Sequence, residues 1–397
     1  MKKFIAILMA LVMVLSLVAC GGSKEEAPKA DAPAAEAPAA ESGAEPIKIG
    51  VFQPLTGANA AGGQLEYEGI QLANELYPEV LGRPVELVVV DNKSDQVEAA
   101  TAAARLVEEE KVDVVLGSWG SSLSMAGGDS FKNSQTPAIG CSCTSPNVTL
   151  GNEYYFRVCF LENFMGVAMS SYAKEVLGVT RGAMICEVTN DTNMGIRAVI
   201  NEEFPARGGE IVSEASYSVG DQDFTSQIMT VMAAEPEVLF IASNYAEAAL
   251  LIKQARGLGY DVPILGTDTM DVDAFIEVGG AEVEGTVYCT FFDAEAAIND
   301  VTTQFVEGYN AKFGRVGSAL SALGFDSYLA AIKAIEAAGS TDGAAVQAAL
   351  DELTFDGATG TITFDENGDA VKDMIVLREV KDGKAVYHDT YYIKDIT

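Results

Sequence analysis

Short apolar runs alternate with segments of helical spacing along most of this chain. Val/Ile/Leu-rich runs at 47–52, 85–91 and 112–117 predict strands. Between and after them, helical spacing covers 63–77, a face made by Val97, Ala100, Ala104 and Val107, and 121–131. A second series follows, with strands predicted at 181–186, 210–216, 238–242 and 262–266 and helices at 193–204, 225–232 and 246–258. Near-continuous apolar strands are buried on both faces, as in parallel sheets between helix layers, and the alternation implies right-handed crossovers. The expected fold class is α/β: two doubly wound parallel-sheet lobes, with a ligand cleft at the carboxyl ends of their strands.

The first residues read differently. Lys2 and Lys3 precede an apolar run over 4–18 that closes in Leu17-Val18-Ala19-Cys20. The run is too short to span a membrane comfortably, and Gly21-Gly22 with a polar stretch follows. Residues 1–20 are therefore expected to be a lipoprotein signal peptide, with Cys20 acylated as the mature N-terminus. One acyl chain holds weakly and two hold well, so diacylation of Cys20 implies a stable membrane tether. Residues 21–46 are mostly Ala, Pro and Glu and cannot offset their ordering entropy, so a disordered linker is expected there. The remaining stretch, roughly 350 residues, exceeds the size at which single cores split, which predicts two domains.

Composition removes several function classes. The formal charge is −33, and losing Lys2 and Lys3 from 25 basic residues leaves 23 against 58 acidic ones. Such a surface repels phosphate backbones, so no nucleic acid partner is expected. Cys141, Cys143, Cys159, Cys186 and Cys289 are odd in number and irregular in spacing, which suits small core residues better than a disulfide framework. Cys141-x-Cys143 lacks a second pair, so zinc is not expected. The sole histidine, His388, leaves no histidine-based triad or multi-histidine metal site. The glycine-rich 57–63 lacks a phosphate-loop lysine, and 365–369 lacks the alternating ligands of a calcium loop. No enzyme, metal or cofactor is expected.

Three places carry candidate binding chemistry. Ser121 and Ser122 stand where a strand passes through a loop into a helix; they can hold an anion with the helix amides, or simply cap the helix. Asp268 closes the strand and loop Pro263-Ile-Leu-Gly-Thr-Asp268, where it can face a cation or cap the next helix, with Asp271 and Asp273 close by. Trp119, the only tryptophan, falls in a loop at a strand's carboxyl end, a position that favours a pocket over a core.

A series of motifs in order resembles one family. Gln53-Pro-Leu-Thr-Gly57, Val219-Gly-Asp-Gln-Asp-Phe-Thr225 and Glu235-Pro-Glu-Val-Leu-Phe-Ile241 are followed by Lys253-Gln-Ala-Arg256 and Gly259. Pro263-Ile-Leu-Gly266 and Thr359-Gly-Thr-Ile-Thr-Phe-Asp-Glu-Asn-Gly368 complete it. Together they resemble solute-binding proteins of the branched-chain amino acid transporter type, which have the type I periplasmic binding fold. The resemblance implies a multi-strand hinge joining lobe 1 (47–160 with 290–374) to lobe 2 (161–289 with 375–397). It also implies an amino acid ligand, an ABC permease as partner and a monomer. Ser121 would hold the ligand carboxylate, and Asp268 its ammonium. In Ser142-Cys143-Thr144, Ser142 would contribute a backbone carbonyl and Thr144 a hydroxyl. The departures alter the side-chain pocket. Met194 stands where the family usually carries tyrosine before Gly195, and Asn244 takes a second tyrosine position, beside Tyr245. An aromatic near Gly62 is missing, while Trp119 enters the carboxylate loop. Leucine, isoleucine and valine, or a larger apolar or aromatic ligand stacked on Trp119, fit this pattern. A sensor for a membrane receptor, the same fold binding an amide, aromatic acid or purine, and a surface hydrolase are the alternatives.

Overall fold

Strand β1 (Ile47–Gln53) is buried at every position but one, and it stands inside the first of two sheets. The computed structural model describes residues 45–295 and 299–396; the expected signal peptide, Cys20 and the expected linker up to residue 44 lie outside the described residues. β1 is joined by β2 (Glu79–Val80), β3 (Arg83–Asp91), β4 (Val114–Leu116), β5 (Ala138–Gly140) and β6 (Tyr155–Arg157) in the order β2-β3-β1-β4-β5-β6. All pairs are parallel except β2 with β3. The connections carry helices α1 (Ala60–Leu76), α2 (Gln96–Glu108) and α3 (Ser121–Ser134). Asp95 starts α2 by accepting from the amides of Val97 and Glu98 at 2.9 and 3.0 Å, satisfying two of its orphan donors. β4 is shorter than the expected 112–117, because Asp113 turns its carboxylate to the Lys48 amide at 2.9 Å and Gly117 adopts φ +108°.

The second sheet holds β7 (Arg181–Glu187), β8 (Glu210–Tyr217), β9 (Val238–Ala242), β10 (Ile264–Gly266) and β11 (Val287–Thr290), all parallel, in the order β11-β10-β9-β7-β8. Its helices are α4 (Glu162–Ser171), α5 (Asp191–Ala206), α6 (Thr225–Met232), α7 (Tyr245–Gly257) and α8 (Asp273–Gly279). The chain then returns to the first lobe through α9 (Asp300–Phe313), α10 (Ala319–Ala338) and α11 (Gly343–Asp351), of which α10 lies along α1. A small hairpin, β12 (Thr354–Gly357) and β13 (Gly360–Thr363), precedes the last crossing. β14 (Met374–Lys381) and β15 (Lys384–Tyr392) then add an antiparallel edge to the second sheet beside β11. Their partial burial gives a weaker sequence signal than the fully buried parallel strands, and the helices after residue 300 were not anticipated.

Both sheets reverse direction at an equivalent place. In the first, the chain goes from β1 outward to β3 and then to β4 on the other side; in the second, from β7 to β8 and then to β9. Such switch points open a crevice between the loops at the strands' carboxyl ends. These two crevices belong to one site.

Helices α1 and α10 approach so closely that glycine is required on each. A Cβ at Gly69 would overlap the Ser321 carbonyl oxygen, and one at Gly324 would overlap that of Glu66. Gly324→Ala is expected to lower stability by about 1–3 kcal/mol in urea unfolding, the usual cost of overpacking. An unchanged midpoint would show that the two helices can separate freely.

Candidate functional site

A cavity of about 280 Å³ lies between the two sets of loops, close to the lower limit of ordinary small-molecule sites at ~300 Å³. The first lobe lines it with Ala58 and Asn59 after β1, Ser94 and Gln96 after β3, residues 119–123 after β4, and Ser142 and Thr144 after β5. The second lobe contributes Glu187, Thr189, Asn190, Thr192 and Asn193 after β7, Val219 after β8, Asn244 after β9, and Asp268 and Thr269 after β10. No Lys, Arg or His is among the lining residues, and the two carboxylates are Glu187 and Asp268.

The anion-holding end is made by α3. Gly120, at φ +90°, occupies the N-cap position and offers no side-chain cap, so Ser121 and Ser122 are the first two helical residues. The amides of Leu123 and Ser124 return to the Gly120 carbonyl, whereas those of Ser121 and Ser122 have no acceptor among the described residues. Ser121 Oγ accepts from the Ser145 amide at 3.1 Å and from Thr192 Oγ1 at 2.9 Å. Its own proton is left to donate. Helix amides, hydroxyl protons and the positive end of the helix dipole together suit a carboxylate without any basic side chain.

Trp119 is fixed at both levels. Its amide donates to Gln53 Oε1 at 2.8 Å, and its ring lies over α1, where a Cβ on Gly62 would come within 2.5 Å. The indole thus fills the space at Gly62 where an aromatic was expected. Gln53 Nε2 donates to Glu66 at 2.6 Å, and Ser142 Oγ donates to the other oxygen of that carboxyl. Burial pushes Glu66 up to about 8, so this side chain is a neutral hydrogen-bonding strut at pH 7. Ser142 therefore spends its hydroxyl on the fold. Its carbonyl accepts no hydrogen bond among the described residues, while those of Cys143, Thr144 and Ser145 accept from Arg157, the Glu162 amide and Arg157.

Asp268 faces the cavity from the second lobe. It is 4% exposed, and its Oδ1 is buried without a hydrogen-bond partner among the described residues. Burial, with a smaller push from Asp271, raises its carboxyl to about 7. It does not cap α8, which begins at Asp273 after Val272. Asp271 is committed elsewhere, to Arg378 at 2.8 Å and to Thr290 at 2.7 Å. Of Asp268 and Asp271, Asp268 is thus the one left with capacity for a cation.

Two expected side chains are not in the cavity lining. Cys143 is buried in the first lobe's core, because its Sγ turns toward Gly140 and away from the cavity. Met194, 38% exposed, lies on the outer face of α5 because helical rotation turns the neighbouring Thr192 and Asn193 inward instead. Asn244 lines the cavity, while Tyr245 reaches across to donate to the Ala58 carbonyl at 2.9 Å. That bond and Thr192–Ser121 tie the two sides together over the cavity. Glu187 and Asn193 were missed, although Glu187 directly follows a predicted strand and Asn193 lies within Asn190-Asp-Thr-Asn-Met-Gly195. Glu162 was missed too; burial raises it to about 8, and its carboxyl fills the space beside Gly195.

Comparison with known proteins gives a consistent result. The periplasmic binding protein family matches residues 46–384. The Leu/Ile/Val-binding protein homolog 3 of Brucella melitensis is 27% identical over 349 residues, covering 86% of this chain and 93% of the relative. The leucine binding protein LivK of Thermotoga maritima superimposes with a TM-score of 0.85 at 38% identity, over 88% of this chain and 99% of that one. The branched-chain amino acid transporter substrate binding protein LivJ of Streptococcus pneumoniae, in complex with isoleucine, gives 0.81 at 27%, over 87% and 100%.

The raised Asp268 carboxyl has a signed consequence. The folded chain holds this proton up to about pH 7, whereas the unfolded chain releases it near 3.8. The group's contribution to stability is therefore greatest below pH 4 and is lost as pH rises toward 7. Asp268→Asn should become progressively more stable than the parent across that window, in urea unfolding without added ligand. A stability difference that does not change with pH would remove the buried, unpaired acid.

Proposed function

The chain belongs to the periplasmic binding protein family, and from that premise we propose that it captures a free amino acid between its lobes and delivers it to an ABC permease. The observation that carries this reading is the buried Asp268 oxygen without a partner, opposite the open amides of Ser121 and Ser122 in the same cavity. A zwitterion supplies one charge to each end. The carboxylate takes the α3 amides and the Ser121 hydroxyl, while the ammonium takes Asp268, the Ser142 carbonyl and Thr144 Oγ1. Each contact at the ammonium end is charge-assisted and desolvated, which makes it stronger than a neutral hydrogen bond.

The lobes, taken as 47–160 with 290–374 and 161–289 with 375–397, would open and close about the strands that join them. Ligand contacts from both sides favour the closed form, because only there are the two ends of the zwitterion met together. Relatives named as binding proteins and a cavity without histidine support capture rather than turnover. The protein would work outside the cytoplasmic membrane as a monomer, held to it through acylated Cys20 and the linker. The motif ending at Cys20 supports that anchoring. Branched-chain, other apolar and aromatic side chains are the family-derived candidates, with Trp119 and Leu123 as the apolar wall.

Thermal unfolding of the full chain, refolded to strip carried-over ligand, tests the reading against a panel of amino acids. A ligand at a hundred times its Kd adds about 2.7 kcal/mol of stability. A free amino acid should raise Tm, and its N-acetyl and methyl ester forms should not. Asp268→Asn should weaken that binding by about 2–5 kcal/mol through loss of the ammonium's counter-charge. Shifts only with ligands that lack an amine would overturn the amino acid assignment and leave the fold untouched.

A further inference from the structure

Glu187 stands on the cavity wall, 1% exposed, with no cation beside it among the described residues. Its Oε1 takes the Thr189 amide at 2.7 Å and the Thr189 hydroxyl. Its Oε2 takes only Asn193 Nδ2, at 3.2 Å. A carboxylate offers about four lone-pair sites, so Oε2 keeps acceptor capacity. Asn193, also 1% exposed and also lining the cavity, gives one of its two amide N–H groups to Glu187, and its Oδ1 receives no hydrogen bond among the described residues. Two buried acceptors therefore sit side by side at the end of β7.

This pair is separate from the ammonium end. β7 and β10 flank β9, so Glu187 and Asp268 end strands about 9–10 Å apart, two strand spacings. An α-ammonium held by Asp268 leaves the Glu187–Asn193 end for another part of the ligand. Trp119 and Leu123 give the same cavity an apolar wall.

We propose that Glu187 and Asn193 form a second polar subsite, which selects amino acids whose side chain ends in an N–H or O–H donor over isosteric apolar ones. The proposal rests on the amino acid reading above and narrows its ligand class. A purely aliphatic side chain strips water from both acceptors and returns no donor, whereas an amide, amine or hydroxyl replaces what the water gave. Sites built to hydrogen-bond a substrate group reject the analogue that lacks it far more strongly than apolar pockets reject an extra methylene. Glu187 and Asn193 thus determine specificity, while Thr189 orients Glu187.

Isosteric pairs isolate this contact. Calorimetric titration of the full chain, refolded to remove carried-over ligand, would compare L-asparagine with L-leucine, L-threonine with L-valine, and L-glutamine with L-methionine. The donor-bearing member of at least one pair should bind ~10-fold or more tightly than its partner. Glu187→Gln, which keeps the shape and removes the charge, should shrink that ratio several-fold, by weakening the donor-bearing member, strengthening the apolar one, or both. Apolar members binding equally or better in all three pairs would overturn the subsite and leave the amino acid reading standing. Equal losses for both members in Glu187→Gln would also overturn it, assigning Glu187 to the ammonium or to the loop's shape. Binding by none of the six would remove the amino acid reading and this inference together.

Discussion

The Arg157 guanidinium is wholly buried at the end of β6, and the cavity's geometry depends on it. A charge in that position is tolerated only when it is paired and its donors are used. Arg157 is paired with the Asp369 carboxylate at 2.6 Å, and its terminal nitrogens donate to the carbonyls of Cys143 and Ser145 at 2.5 and 2.7 Å and to Thr149 Oγ1 at 2.7 Å. The carbonyls belong to the loop that carries Ser142 and Thr144. The ion pair thereby fixes which backbone oxygens are consumed below the cavity and which one remains facing it. Asp369 comes from the segment just before the last crossing, so the same contact joins that segment to the binding loop.

A second internal strut runs alongside. Trp119 N, Gln53, Glu66 and Ser142 form one buried hydrogen-bonded series that links the loops after β4 and β5 through the end of β1 and α1. Every member is held by a partner from another element, so no single loop conformation stands alone. The second lobe shows the opposite arrangement at one point. Asp271 has Arg378, Thr290 and Tyr288, while Asp268 three residues earlier keeps an oxygen with nothing against it. Of this pair, Asp271 is satisfied by the framework, and Asp268, which lines the cavity, is not; that difference supports the ligand contact proposed for Asp268. The unsatisfied group lowers the stability of the unliganded fold, which is the usual relation between a binding site and its scaffold.

The alternation of buried strands and helices was legible because each parallel strand is apolar on both faces, a signal local enough to survive without context. Ser121, Ser122 and Asp268 were legible from their place in the loops at strand ends, Thr144 and Asn244 only through the family resemblance, and all line the cavity. Met194 and Cys143 fall outside the cavity lining for one reason: a motif position gives the backbone's place, while helix phase and loop path decide where the side chain turns. Glu66 could not have been found at all from its neighbours, because its partners Gln53 and Ser142 come from two other elements. The β14–β15 hairpin was hidden by its half-buried, partly polar strands, and α10 by burial on nearly all sides, which erases a one-faced helical period.

Sequence alone determined the two doubly wound series, the acidic character that turns away phosphate backbones, and the strand ends at which a site could form. These follow from local periodicity and from composition, which need no partner. Tertiary structure decided which strand ends meet, since the order of strands in each sheet places the two reversals. It also decided that Asp271 is neutralised while Asp268 is not, and that Trp119 covers Gly62. Pairing and desolvation are properties of contacts between distant residues, so they exist only once the chain is folded.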